Sequence, residues 1–101
     1  MAEQLRQHAS QELQHALLVA REIDYLGGEP STEPFERQTS DNPKEMLQID
    51  LRAEEKTIGN FSGRIKQAER AGKFAVSQVL RDIIVHEQDH AMDLKDALGI
   101  R

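Results

Sequence analysis

Between Val76 and Leu98 an apolar side chain recurs every three or four positions, through Val76, Leu80, Ile83, Leu94 and then Ala97 or Leu98. That spacing follows the 3.6-residue turn of an α-helix and aligns one face for burial, so the segment folds as a helix packed against other helices. Two positions break the line: Glu87 and His90 stand where apolar residues belong. Residues 47 to 68 repeat the pattern, with Leu47, Leu51, Ile58, Phe61, Ile65 and Ala68 in step and Glu54 as the interruption. A third segment is less regular. Leu5, Ala9, Ala16, Val19, Ile23 and Leu26 share a side, and Glu12 and His15 interrupt it.

Punctuation residues bound these helices. The first, about residues 2–26, is rich in Ala, Leu, Gln and Glu and stops at Gly27-Gly28. The second, about 43–71, opens with Asn42 as N-cap, Pro43 at the first helical position and Glu45 three residues after the cap. Gly72 breaks it, and the third runs over about 74–98, ending before Gly99. Residues 27–42 hold two prolines and several Ser, Thr, Asp and Asn, so they form a loop. A helix of about 25 residues is roughly 38 Å long, a span that sixteen extended loop residues cover at roughly 3.3 Å each. The expectation is a crossover over 27–42 with helices one and two parallel, whereas the short turn at Gly72 makes helices two and three antiparallel. The fold class is all-α, and residues 1–101 are expected to form a single helical domain.

Composition narrows the function. Hydrophobic residues make up 38% of the chain and charged residues 31%, with no Trp and one Tyr, which suits a Leu, Ile, Val and Ala core between helices. The net charge of −5 argues against nucleic acid as the main partner, because phosphate binding needs an excess of Lys and Arg on one face. With no cysteine, disulfides, thiolate metal sites and cysteine nucleophiles are excluded. The N-terminal residues lack the apolar core of a secretory signal, and no apolar stretch approaches the length of a membrane span, so a soluble, cytoplasmic protein is expected.

The chemistry lies in the interruptions. A carboxylate buried alone among Leu and Ile costs several kcal/mol, so such a residue is paired, protonated or bound to a cation. One interrupted wheel is explained by a surface residue or a buried ion pair. Three helices interrupted near their middles, two with the same E-x-x-H spacing, point to a shared ion, since residues i and i+3 lie on one face and converge a carboxylate and an imidazole. The letters H-E-x-x-H at His86 to His90 also match a zinc-protease motif. However, His86 aligns with Asp82, Asp89 and Asp93 on a polar stripe, and no strand lies upstream to hold a peptide. His8, one turn before Glu12, is read as a solvated or hydrogen-bonded histidine rather than a ligand.

These residues resemble the ferritin-like di-iron carboxylate proteins, and bacterioferritin in particular, over essentially the whole chain. In such four-helix bundles one Glu from each of two helices and a Glu-x-x-His from each of the other two project inward. Here "ELQH" (Glu12, His15) and "EQDH" (Glu87, His90) are similar to the two paired motifs, and "DLRAEEK" supplies Glu54 as the lone bridging-type glutamate. "YLGGEP" and "DNPKEMLQIDL" resemble the boundaries of the family's crossover.

The resemblance implies metal ligands Glu12, His15, Glu54, Glu87 and His90. It also implies a di-iron centre, with manganese or zinc as other ions suited to the donors, and ferroxidase chemistry in iron storage or detoxification. The family's pattern has a further helix, bearing a fourth glutamate, ahead of the first E-x-x-H, and no counterpart precedes "ELQH" here. The expected consequences are a site one carboxylate short and self-association into a homo-oligomer, with another chain covering the groove. Glu55, about 100° round the helix from Glu54, is a poor replacement. Haem is not expected, because Leu13 stands where haem-binding members have methionine. A second reading from the same residues is a non-catalytic structural module of ferritin-like shape with an incomplete metal site.

Overall fold

The computed structural model describes residues 2–29 and 38–100. It contains three helices, α1 (Ala2–Tyr25), α2 (Pro43–Arg70) and α3 (Phe74–Leu98), and no strand among the described residues. The described elements are all helical, and no described helix is long and apolar enough to cross a membrane. Two compact units divide the chain, Met1–Phe35 with α1 and Glu36–Arg101 with α2 and α3. Residues 30–37 of the expected crossover, and the side chain of Leu5, lie outside the described residues.

Helix α2 begins as its local chemistry dictates. Asn42 adopts an extended backbone, and its Oδ1 accepts a hydrogen bond from the Glu45 amide at 3.0 Å. This satisfies an amide that would otherwise face water or nothing, and Pro43 occupies a first-turn position where no amide is needed. The other end closes at Gly72, which has φ +71°. The Gly72 amide donates to the Glu69 carbonyl at 3.0 Å and the Lys73 amide to the Ala68 carbonyl at 2.8 Å. That pair of bonds ends the helix in a left-handed residue and lets α3 start at once. Gly27 closes α1 with the same pattern of bonds to Asp24 and Ile23.

Because the turn is so short, α2 and α3 run antiparallel. Glu69 near the turn meets Ser77 and Arg81, while Leu51 far from it packs with Ala91 and Leu94. Leu47, Ile58 and Leu98 close around this cluster. Ile83 is 1% exposed and Leu94 2% exposed, and side chains of this size contribute roughly 1.5–3 kcal/mol each when fully buried. A polar tie locks the turn end. Ser77, itself buried, donates to Glu69 Oε1 at 3.1 Å, and Arg81 Nε donates to the same oxygen at 3.1 Å. The Arg81 hydrogen bond, then that of Ser77, holds the Glu69 carboxyl below its ordinary value.

The two kinds of glycine in α2 and its turn give a signed test. A Cβ at Gly72 would meet no atom within 4 Å, so Gly72→Ala is opposed only by the left-handed backbone and should destabilise the protein by roughly 1–2 kcal/mol. Gly59 lies within α2 and is equally open, so Gly59→Ala should stabilise by roughly 0.5–1 kcal/mol. Urea unfolding of the two variants checks the prediction, and equal signs would contradict it.

Candidate metal centre

The turn at Gly72 sets which residues of α2 and α3 face each other. Glu54 lies 18 positions before it and His90 18 positions after, so the two fall level, about 27 Å from the turn at 1.5 Å per residue. One helical turn separates Glu87 from His90, on the face that α3 turns toward α2. His90 Nδ1 is 3.5 Å from Glu54 Oε1 and 3.9 Å from Glu87 Oε2. The side chains of Glu87 and His90 are 1% and 3% exposed, and that of Glu54 is 18% exposed.

Each of Glu54, Glu87 and His90 offers a ligand atom, and these atoms lie within 4.8 Å of one another. Nitrogen and oxygen donors about 2.1 Å from one ion are themselves about 3.0–3.4 Å apart in octahedral or tetrahedral arrangements. The observed separations are close to that range, so a small movement of side chains brings the donors onto an ion. Charge favours the same occupant. With both carboxylates ionised, a protonated imidazole offsets one negative charge, whereas a divalent cation offsets both and leaves the neutral imidazole as a donor. Carboxylate and imidazole together suit iron, manganese or zinc. The donor set therefore fits a first-row divalent metal.

The other expected ligands belong to α1. Glu12 and His15 are three residues apart on one side of that helix, Glu12 exposed and His15 buried at 6% exposure. Positions i and i+3 sit about 60° apart around a helix, so the pair shares a side without sharing a depth. Within the same helix His8 is half-buried. In α2, Glu55 is exposed and its Oε1 lies 3.9 Å from Lys95 Nζ, which directs it away from the buried group. The zinc-protease spacing is not used: His86 is exposed on the stripe with Asp82 and Asp89, while His90 is buried. Sequence reasoning did not single out Ser77. The structural role of this buried serine is recognisable only once its partners Glu69 and Arg81 are known.

The family model for the ferritin-like domain matches residues 1–100. A crystal structure of ferritin-like, diiron-carboxylate proteins from Bacillus anthracis str. Ames is similar to this chain at 31% sequence identity, with a TM-score of 0.88. The match covers 92% of this chain and 67% of that chain. The interrupted apolar stripes, the helical architecture and these matches agree: the chain belongs to the ferritin-like family.

Proposed function

We propose that this ferritin-like protein binds iron at a two-metal carboxylate centre and oxidises ferrous ions there, in cytoplasmic iron storage or detoxification. The observation that carries the reading is the group of Glu54, Glu87 and His90, two carboxylates and an imidazole converging between α2 and α3, with Glu87 and His90 buried and Glu54 half-buried. Glu12 and His15 complete the proposed donor set. Their support is the E-x-x-H spacing they share with Glu87 and His90, and the likeness of 92% of this chain to a solved structure of diiron-carboxylate proteins. That likeness also favours iron over manganese or zinc, which the donors alone would accept.

The residues divide the work by position. Glu54, the one proposed ligand on α2, would take the bridging role, and Glu12 and Glu87 would be terminal ligands, each three residues before its histidine. Iron bound there would supply redox chemistry, two ferrous ions giving two electrons to oxygen or peroxide. The histidines donate a lone pair without adding charge, so the carboxylates set the charge of the centre. Ile83 and Leu94, one turn to either side of the Glu87–His90 pair, are almost fully buried. Such apolar walls keep water out and lower the local dielectric, which strengthens the attraction of carboxylate for cation. The protein is further proposed to work as a homo-oligomer.

An anaerobic ferrous titration of metal-free protein, with bound iron counted before and after exposure to air, tests the reading. Saturation at about two irons per assembled site with an ultraviolet oxidation signal is expected. Glu54→Ala should lose the second iron. A wild-type protein that takes up no iron would overturn the proposal, and a Glu54→Ala variant that still binds two would overturn the bridging role.

A further inference from the structure

One side of α2 carries a row of residues that the metal reading does not use. Arg52, Lys56, Gly59, Gly63, Lys66 and Arg70 follow one another at alternating intervals of four and three. At 100° per residue all six fall within about 40° of the line through Arg52, and all six are exposed. Glu54 lies about 160° round the helix from that line, so the row is on the far side of α2 from the metal group. Other cations of the chain stand beside acids: Arg6 with Glu3, Arg81 with Glu69 and Lys95 with Glu55. Among the described residues, none of the four cations in the row pairs with a carboxylate. The acids nearest the row are placed elsewhere. Glu55, about 60° off the line, faces Lys95, and Glu45 stands two turns before Arg52.

Helix formation does not account for this row. Like charges four positions apart, as at Arg52 and Lys56 or Lys66 and Arg70, disfavour a helix, and so do glycines in its interior. A Cβ at Gly59 or Gly63 would meet no atom within 4 Å, so no described neighbour requires the missing side chains. The spacing is that of a helix–helix seam, in which residues at alternating steps of four and three stay aligned along a second helix. The two cation pairs are centred about 21 Å apart at 1.5 Å per residue, and the glycines leave a depression between them. A partner helix with carboxylates near both ends and a bulky side chain in the middle complements this surface in charge and in shape. Duplex DNA fits less well. Its phosphates recur about every 1.7 Å and reward cations along the whole row, where glycines contribute nothing, and the chain's net charge of −5 repels it.

We propose that the Arg52–Arg70 row of α2 docks an acidic α-helix of another protein, with a bulky apolar side chain of that helix seated over Gly59 and Gly63. Fluorescence anisotropy with the full chain tests it, using two labelled probes. One is an alanine-based helical peptide with paired glutamates about 21 Å apart and leucine between them; the other is a short DNA duplex. The wild-type chain should bind the peptide in preference to the duplex and to a glutamine version of the peptide, and the affinity should fall as salt is raised. Arg52→Glu and Arg70→Glu should each weaken peptide binding about five- to tenfold. Gly63→Lys separates the two partners by sign. It adds a cation but fills the seat, so peptide binding should weaken about tenfold or more while duplex binding strengthens. Lysine is a better helix former than glycine, so this variant should fold at least as well as the parent, as circular dichroism checks. A wild-type chain that ignores the peptide or prefers the duplex would overturn the proposal, as would tighter peptide binding by Gly63→Lys. So would an Arg52→Glu variant whose own oligomer falls apart, since the row would then be a contact between copies. The metal group lies across the helix, so none of these results bears on metal binding.

Discussion

Manganese(II), a redox-inert stand-in for ferrous iron, should raise the unfolding temperature of the metal-free protein by about 15–30 °C when free metal is a thousandfold above its Kd. The size follows from linkage: a ligand that binds only the folded state at that excess stabilises it by about 4 kcal/mol. Each kcal/mol moves the midpoint of a domain this small by about 4–8 °C. Since the chain has no Trp and one Tyr, far-ultraviolet circular dichroism is the suitable probe. Glu87→Gln keeps the size of a residue that is 1% exposed but removes its charge. It should cut metal affinity at least about 100-fold and so reduce the stabilisation by about 2.7 kcal/mol or more. His86→Ala is the control. Its side chain is exposed and off the buried face, so the response to metal should be unchanged. If neither manganese nor zinc shifts the wild-type midpoint, Glu54, Glu87 and His90 do not form a metal site.

Much of this architecture is legible in the sequence because the helices announce their ends by local chemistry. Asn42-Pro43 and the glycines at 27 and 72 act through capping bonds and left-handed backbone, which need no knowledge of tertiary contacts. The inward stripes of α2 and α3 are legible for a related reason. Each has one apolar face, and every expected stripe residue from Leu47 to Ala68 and from Val76 to Leu94 is buried or half-buried. Helix α1 resists the same treatment. Leu13, Leu17 and Leu18 are exposed, as are Ala9, Ala16 and Leu26 of the expected stripe, while Val19 and Ile23 are half-buried. A helix with apolar residues on more than one side cannot be phased by periodicity alone.

The candidate metal group was legible through a cost. Glutamate and histidine on an apolar stripe are unfavourable unless something compensates them, so their presence in register is informative. What periodicity does not convey is register between helices. That Glu54 stands level with His90 depends on the turn closing in so few residues around Gly72, and one more turn residue would shift the pairing. The tie among Glu69, Ser77 and Arg81 is hidden for the same reason, since it exists only once α2 and α3 are aligned.

If the two carboxylates and the imidazole between α2 and α3 are kept for metal rather than for folding, replacing all three should make the metal-free protein more stable. Replacing a buried charged group as a whole with apolar side chains of similar volume is often neutral or stabilising, by about 1–4 kcal/mol, because the desolvation cost disappears. Leucine is close in volume to both glutamate and histidine. The Glu54→Leu, Glu87→Leu, His90→Leu triple variant would extend the cluster of Leu51, Ala91 and Leu94 that already packs beside the site. Its metal-free form should therefore gain about 1–4 kcal/mol while losing all response to manganese or iron. Removing a single partner should have the opposite sign. His90→Ala leaves two carboxylates together in a cavity and should cost about 3–5 kcal/mol. Urea unfolding of both variants without metal, followed by the same measurement with manganese, separates the two roles. A triple variant less stable than the parent would mean that these groups hold α2 and α3 together as a structural network. A triple variant that is more stable and blind to metal would mean that the ferritin-like fold gives up stability at this point to keep an ion-binding site in its core.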